Sequence, residues 1–130
     1  MFECRPCGLG LCGDGAPTGL TGLQHVRGEL AVAGACAEAG TLYIASTMGS
    51  YAIEEIREAC DGPLWFQLYV FRDRGLVADL LGRAREARCE ALVLTVDTPR
   101  LGSRERDRRN GFTLPSELGT PGLTAARSSR

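Results

Sequence analysis

Two pairs of polar residues in this 130-residue sequence have the types and spacing of one binding site. Gln67 and Tyr69 lie in the segment LWFQLYV, and Thr95 and Asp97 end the segment ALVLTVD. Each pair is separated by two positions, so in a strand both side chains point to the same face. Burying such groups together costs on the order of several kcal/mol unless each finds a partner. Because both pairs end predicted strands, where α/β proteins bind ligands, we favour a ligand site over a purely structural polar network.

An arginine-rich loop follows the second pair, at residues 99–110. A solvated loop with internal ion pairs is the simplest interpretation, because acidic residues are interleaved with the basic ones. A more specific hypothesis is that one guanidinium binds a substrate carboxylate, since its planar fork suits a bidentate anion. Nucleic-acid binding is a weaker alternative, because no aromatic stacking platform accompanies the charges. The arginines are Arg100, Arg104, Arg106, Arg108 and Arg109.

The elements that must position these residues alternate along the chain. Hydrophobic periodicity predicts helices at 28–39, 50–60 and 73–87, and strands at 41–46, 64–70 and 91–96. Ser50 and Asp73 are predicted to cap the second and third helices, and Gly40 to end the first. The predicted buried helix positions are Leu30, Ala33, Ala37, Ile53, Ile56, Cys60, Leu76, Val77, Leu80, Leu81 and Ala84. Short connections between strands and helices predict βαβ units and a parallel sheet.

Composition is ordinary for one modest globular domain. The net charge of -1 gives no general attraction to nucleic acid or anionic membranes, and every one of the 15 basic residues is an arginine. The start MFECRPC contains no apolar signal-peptide segment, so we expect a cytoplasmic protein. No apolar stretch reaches the roughly 18 residues of a membrane span. The sequence leaves peripheral membrane association of a full-length form open.

Two N-terminal motifs resemble functional sites only weakly. Cys4, Cys7 and Cys12 lack the second ligand pair of a structural zinc site, so we expect no metal. The glycines between Gly8 and Gly13 spell GxGxxG, but too few residues precede them for the required strand.

Several ordered segments resemble the FMN-dependent α-hydroxy-acid oxidoreductases, a family that includes glycolate oxidase, lactate oxidase, L-lactate dehydrogenase and mandelate dehydrogenase. The segments are APTGLTG, RGELAVAGACAEAG, IAST to IEEI, LWFQLYV, FRDRG and ALVLTVDTPRLGSRERDRRNGF. They cover about residues 16–115, with an irregular segment at 1–15 and a loose tail at 116–130. The resemblance implies an α/β fold, a partial TIM (β/α)8 barrel of about four βα units.

The resemblance also implies the cofactor and its ligands. FMN would lie at the C-terminal ends of the barrel strands, with the backbone at the end of the first strand against the ring. The other contacts would come from side chains at the ends of the following strands. The implied cofactor-binding residues are Pro17, Thr18, Gly19, Ser46, Gln67 and Thr95.

Substrate and catalytic roles follow from the same resemblance. The substrate would be a small 2-hydroxy acid, with Tyr69 hydrogen-bonded to it and Arg104 near its carboxylate. Asp97 would orient the family's catalytic histidine and stabilise it as an imidazolium, so Asp97 and Tyr69 are the catalytic candidates. Met48 would shape the pocket. Arg88 stands where the family usually closes the third helix with glycine.

The parts that the resemblance places beyond this sequence limit what the chain can do. They are the catalytic histidine, a second carboxylate-binding arginine, a lysine near the flavin and the phosphate-binding strands. His25 is the only histidine and does not occupy the base position. We therefore expect part of an enzyme whose isolated chain lacks turnover, and full-length members that form homo-oligomers. The alternative is a non-catalytic half-barrel that associates with itself or another half through its open edges.

Overall fold

The computed structural model describes residues 14–96 and 104–113, and in this part strands and helices alternate as predicted. The strands are β1 (Tyr43–Ser46), β2 (Leu64–Tyr69) and β3 (Ala91–Thr95). The helices are α1 (Gly28–Glu38), α2 (Ile53–Ala59), α3 (Arg74–Glu86) and α4 (Glu105–Arg109), and a 3₁₀ helix spans Thr21–Leu23. The α/β class is confirmed.

The three strands form one parallel sheet in the order β1-β2-β3. Its register places Ser46 opposite Gln67, and Tyr69 opposite Thr95. Gly15 forms a single parallel bridge to Tyr43, which extends the β1 side of the sheet by one residue pair. The strand that the barrel resemblance implies before Pro17 is thus represented, within the described residues, by this bridge.

Helices cover one face of the sheet and form the core there. The alternating strand residues Ala45, Leu64 and Phe66 are buried against α1, α2 and α3, together with Ala33 and Leu80. This alternation leaves the opposite face to Ser46, Gln67, Tyr69 and Thr95. The predicted helix faces are confirmed. Ile53, Ile56, Cys60 and Ala84 are also buried, and Leu30, Ala37, Leu76, Val77 and Leu81 pack partly buried against the core.

Two predicted helix ends are confirmed. The Asp73 carboxylate caps α3, where Oδ1 accepts hydrogen bonds from the backbone N–H groups of Gly75 at 2.9 Å and Leu76 at 3.2 Å. Gly40 follows α1 with φ of 65°, a conformation that glycine adopts without a Cβ penalty.

The prediction that Ser50 caps α2 is wrong. The helix begins at Ile53, and the Glu55 carboxylate accepts the hydrogen bond of the Ala52 backbone N–H at 2.8 Å. Ser50 instead makes contacts outside the helix: its Oγ accepts from the Gly22 N–H at 3.0 Å. A serine before an apolar helical pattern predicts a cap only when tertiary contacts do not use its hydroxyl.

An ion pair joins the second and third helices. Arg83 donates from Nε to Glu54 Oε1 and from Nη2 to Glu54 Oε2, each at 2.7 Å. This bidentate geometry fixes the two planar groups relative to each other and links α2 to α3 beside the core.

The outer face of β3 is exposed in the described part of the chain. Leu92 is 52% exposed and Leu94 is 54% exposed, and Val96 beyond them is also exposed. These residues lie on the side of the sheet that helices cover over β1 and β2. A row of exposed apolar side chains on an edge strand favours association with another surface.

The short helix α4 lies inside the predicted arginine loop. Acidic residues occupy its first turn and basic residues its last, which complements the helix dipole. Arg109 pairs with Glu105 at 3.3 Å across one turn, and Arg104 lies 4.0 Å from Asp107. These local pairs agree with the interpretation of a self-paired, solvated segment.

No helix within residues 14–96 and 104–113 is long and apolar enough to cross a membrane. The predictions that concern Cys4, Cys7, Cys12, the GxGxxG motif, Asp97 and the tail at 116–130 fall outside the described residues.

Candidate functional site

The C-terminal ends of all three strands meet in one hydrogen-bonded cluster around Gln67. Gln67 Nε2 donates to Thr95 Oγ1 at 2.7 Å, and Ser46 Oγ donates to Gln67 Oε1 at 3.3 Å. Gln67 is only 3% exposed and Ser46 is buried as well. The prediction that polar residues at strand ends converge is therefore confirmed for Ser46, Gln67 and Thr95.

Thr47, which sequence reasoning missed, fixes the orientation of this amide. Its backbone N–H donates to Gln67 Oε1 at 3.2 Å, and its hydroxyl donates to the Gln67 backbone oxygen and accepts from the Tyr69 N–H at 3.3 Å. A backbone N–H can only donate, so the atom of the Gln67 amide that faces it must be the oxygen. The nitrogen must then face Thr95.

This orientation leaves hydrogen-bond donors for a ligand. Thr95 Oγ1 already accepts from Gln67, so among the described residues its hydroxyl proton has no acceptor. The Gln67 amide nitrogen carries two protons and uses one of them on Thr95. Within the described part of the chain, the cluster therefore keeps two donor protons on the face opposite the helices.

The segment containing Pro17, Thr18 and Gly19 lies beside the loop that follows β1. The Leu20 N–H donates to the Met48 carbonyl oxygen at 2.9 Å. A Cβ atom added to Gly19 would lie 3.1 Å from the Met48 Cβ, so the two segments pack closely. Pro17, Thr18 and Gly19 are exposed, which leaves their backbone accessible to a ligand.

The predicted substrate-binding residues are not all brought together. Tyr69 is half-buried and shares a sheet face with Gln67, one strand away from Thr95. Arg104 has a side chain that is 85% exposed, and its ion pair to Asp107 lies within its own segment. Asp97 lies outside the described residues. The structure thus brings Ser46, Gln67 and Thr95 together. The cofactor-binding, substrate-binding and catalytic roles of all the predicted site residues stay predictions.

Buried cysteines do not add a nucleophile to the site. Burial raises the pKa of the Cys89 thiol to about 11, and burial followed by the nearby Cys60 raises the pKa of Cys36. Both are therefore neutral thiols near neutral pH. Burial and the nearby Glu29 carboxylate also raise the pKa of Tyr43, on the helix-covered face.

A cavity of about 10 Å³ lies between the sheet and the helices α2 and α3. It is lined by apolar residues such as Phe66 and Leu80 and by polar residues such as Thr47 and Arg83. This space admits at most about one water molecule, so the cavity is too small for a substrate.

Comparison with known proteins decides the family. The model of the family described as FMN-dependent dehydrogenase matches residues 15–129 of this chain. The chain belongs to the FMN-dependent dehydrogenase family. This membership confirms the resemblance that the ordered segments of the sequence indicated.

Individual relatives of the FMN-dependent dehydrogenase family agree. The chain is 46% identical over 103 residues to glycolate oxidase 3 of Oryza sativa subsp. indica, covering 79% of this chain and 28% of the relative. It is 48% identical over 113 residues to L-lactate oxidase of Nostoc sp., covering 84% of this chain and 31% of the relative. A solved structure of mandelate oxidase with (S)-2-phenylpropionate is 46% identical and superposes with a TM-score of 0.79, covering 84% of this chain and 32% of that chain.

The chain spans less than a third of the length of these family members. Within that span the likeness to the mandelate oxidase structure confirms the partial-barrel fold class. Sequence reasoning missed Thr47 and Glu29, both of which are buried and polar. Glu29 is the only charged residue inside GELAVAGACA, but its place in the first turn of α1 already gave a local reason for a carboxylate.

Proposed function

We propose that this chain is the part of an FMN-dependent oxidoreductase that holds the polar edge of the flavin ring during oxidation of a 2-hydroxy acid to the 2-oxo acid. One observation carries the proposal: the Thr47 backbone sets the Gln67 amide with its nitrogen towards Thr95, so that both side chains offer donors. The polar edge of an oxidised flavin ring presents two carbonyl oxygens and the ring nitrogens N1 and N5, and these accept such bonds, whereas N3–H donates. The residues present therefore suit the group.

Bound FMN would supply the acceptor for the electrons that the hydroxy acid loses. The chain's own residues would bind the flavin ring and orient it. Gln67 and Thr95 would hold the ring edge, Ser46 would contact the ring, and the backbone of 17–19 would lie against it. Family membership and the position of these residues at strand ends support this arrangement.

The substrate side of the site is proposed on similar grounds. Tyr69 would donate a hydrogen bond to the hydroxy acid, and Arg104 would approach its carboxylate. Asp97 would hold the catalytic histidine of an intact enzyme in its charged form, which makes Asp97 a positioning residue in this chain. The relatives are named for glycolate, lactate and mandelate, and these three acids all contain a 2-hydroxy acid group. Their names support that substrate class. The isolated chain is expected to lack turnover, because the histidine base belongs to another part of the barrel.

A binding titration tests the flavin proposal without requiring turnover. The purified 130-residue chain is titrated with FMN and with lumiflavin, which has the ring but no phosphate, and the visible absorbance of the flavin is recorded. Gln67→Glu replaces the donating nitrogen by a second oxygen at nearly constant shape. We expect it to weaken binding of both flavins about tenfold or more, since one favourable donor becomes a repelled acceptor.

Controls separate ring recognition from folding. Thr95→Ser keeps the hydroxyl and is expected to bind nearly as well as the unchanged chain. Circular dichroism of each variant checks that the fold is retained. Absence of flavin binding by the unchanged chain, or equal binding by folded Gln67→Glu, would contradict the proposal.

A second candidate function is supported by the exposed face of β3. Leu92 and Leu94 are more than half exposed on the side that helices cover elsewhere. A non-catalytic partial barrel that associates with itself or with another half through this face would bury them. Sedimentation that shows a compact monomer at all concentrations would count against this function.

Location and assembly belong to the same proposal. The expected location is the cytoplasm, and the described cysteines Cys36, Cys60 and Cys89 are free thiols, as is usual in a reducing compartment. A homo-oligomer is expected for the full-length form.

A further inference from the structure

We propose that Glu29 is a positioning residue that clamps together the two loops flanking the candidate flavin site. The first loop is residues 17–22 and the second is residues 46–50; together they are called the paired loops below. The inference rests on the proposed function, because the first loop presents the backbone of Pro17 to Gly19 and the second begins with Ser46.

The clamp consists of one carboxylate oxygen and two backbone amides. Glu29 is the second residue of α1 and is fully buried. Its Oε1 accepts from the Ser50 N–H at 2.7 Å and from the Thr21 N–H at 3.2 Å. One amide comes from each loop, so a single side chain fixes their separation.

Two further hydrogen bonds run directly between the paired loops on either side of the clamp. The Leu20 N–H donates to the Met48 oxygen at 2.9 Å, and the Gly22 N–H donates to Ser50 Oγ at 3.0 Å. Three consecutive amides of the first loop, at residues 20–22, are thus bound to the second loop or to its partner Glu29. The exposed residues 17–19 of the first loop are in this way held next to a second loop that is largely buried.

Two glycines, Gly28 and Gly49, leave room for the carboxylate and for the close approach of α1 to the loops. A Cβ atom on Gly49 would lie 3.4 Å from Glu29 Oε1, and one on Gly28 would lie 2.9 Å from the Gly22 nitrogen. A larger residue at Gly28 would push α1 away from the first loop, and one at Gly49 would crowd the Ser46 carbonyl oxygen and the Glu29 carboxylate. Helix α1 therefore approaches the loops closely enough for its second residue to reach both.

The clamp costs free energy, because it buries polar atoms that have no partner. Glu29 Oε2 and Thr21 Oγ1 are both buried and have no hydrogen-bond partner among the described residues. An apolar residue would avoid the cost at Oε2 but would leave the Thr21 and Ser50 N–H groups without the acceptor that Oε1 supplies. Hydrogen bonds from N–H groups to a carboxylate are stronger than those to a neutral acceptor, which suits an element that must hold two loops rigidly.

Four variants of the 130-residue chain test the clamp. Glu29→Ala removes the carboxylate. Glu29→Asp keeps a carboxylate, but on a side chain that is shorter by one methylene group. Glu29→Gln keeps an oxygen in place and should rescue much of the function. Thr21→Ala is the matched control, because it removes the unpartnered hydroxyl together with one methyl group and leaves the Thr21 N–H.

Two readouts are taken on each variant: lumiflavin affinity from the flavin absorbance, and hydrogen exchange of the Thr21 and Ser50 amides by NMR. We expect Glu29→Ala and Glu29→Asp to lose about tenfold in affinity, which corresponds to ~1.4 kcal/mol, and to exchange both amides faster. Glu29→Gln should lose no more than about threefold, and Thr21→Ala should match the unchanged chain in both readouts.

The outcomes separate this inference from the proposed function. Failure of the unchanged chain to bind any flavin overturns the proposed function and the inference that rests on it. Flavin binding that is unaffected in folded Glu29→Asp overturns the inference alone, as does unchanged exchange of the two amides. If Glu29→Ala does not fold, the comparison of Glu29→Asp with Glu29→Gln decides, because both retain a polar side chain at the site.

Discussion

Gln67 on β2 donates a hydrogen bond from Nε2 to Thr95 Oγ1 on β3 at 2.7 Å, and the direction of that bond is set from β1 by the backbone of Thr47. Three strand ends therefore act as one unit. The amide cannot turn over without placing its nitrogen against a backbone N–H, which would leave two donors facing each other. The donors offered to a ligand are fixed before any ligand arrives, and this preorganisation lowers the cost of binding.

Thr47→Val should destabilise the chain more than its size change suggests. Valine has the same shape but no hydroxyl, so the partly buried Tyr69 N–H loses its partner. The Gln67 carbonyl oxygen loses one of two donors, because the Thr47 N–H still donates to it at 3.1 Å. An unsatisfied buried polar group costs about 1–3 kcal/mol. Urea unfolding followed by circular dichroism measures the change. Thr47→Ser retains the hydroxyl and should lie within about 1 kcal/mol of the unchanged chain; equal losses for both variants would contradict the role of the hydroxyl.

Arg88→Gly should stabilise the chain. Arg88 closes α3 with φ of 55°, a left-handed conformation that a residue with a Cβ adopts at a cost. Glycine removes that cost, so we expect a gain of about 1 kcal/mol in the free energy of unfolding. The side chain is exposed, so its loss removes little packing. Arg88→Ala removes the same side chain but keeps the Cβ, and a gain of similar size in that variant would show that backbone strain is not the cause.

The Glu54–Arg83 pair should make stability depend on acid pH. The hydrogen bonds from Arg83 hold the pKa of the Glu54 carboxyl below its usual 4.5, although partial burial opposes this shift. Because the folded-state pKa is the lower one, the stabilisation is present above about 4.5 and disappears as pH falls through the folded-state pKa. Glu54 is 44% exposed, so Glu54→Gln should cost less than about 1 kcal/mol near neutral pH.

Unfolding of the Glu54→Gln variant is compared with that of the unchanged chain across this pH range. The difference should shrink towards zero in acid. Glu58→Gln is the control, since it removes the same charge from an exposed position of the same helix. A difference that is independent of pH would contradict the assignment.

Leu92→Lys combined with Leu94→Lys should reduce self-association. The two leucines present an apolar surface on the outer face of β3, and lysines there oppose its burial. Sedimentation velocity over a range of concentrations measures the effect. Val32→Lys places a charge on an exposed apolar residue of α1 instead and should leave association unchanged. Equal association in the double variant and the unchanged chain would show that β3 is not the contact.

Sequence periodicity predicted which side chains share a face of the sheet. It did not predict which residues of neighbouring strands lie opposite each other. The two-residue spacing placed Gln67 with Tyr69 on one side of a strand, and the structure confirms this alternation through the burial of Phe66 and Leu68 on the other. The pairing of Ser46 with Gln67 depends on the register between strands, which connection lengths and packing determine together. The resemblance to a family implied that both residues contact the flavin, but it did not give the hydrogen bond between them.

The residues that sequence reasoning missed act through the backbone. Thr47 lies just past a strand end and contacts Gln67 with its own N–H, which every residue except proline possesses. Glu29 occupies the first turn of a helix, where the helix dipole alone favours a negatively charged side chain. Ser50 was assigned as a helix cap for a comparably local reason. In each position a local explanation was complete, and only the tertiary contacts show the other role.

The order of the strands in the sheet repeats their order in the chain, and this has a kinetic consequence. The hydrogen bond from Ser46 to Gln67 joins residues that are 21 positions apart in the sequence, and the bond from Gln67 to Thr95 joins residues 28 positions apart. Loops of similar length cost similar entropy to close, so the sheet can grow by one strand at a time in the direction of synthesis. Among the described residues, Gln67 acquires its partner Thr95 only when β3 joins. The pair of donors at Gln67 and Thr95 is therefore complete only once all three described strands are paired.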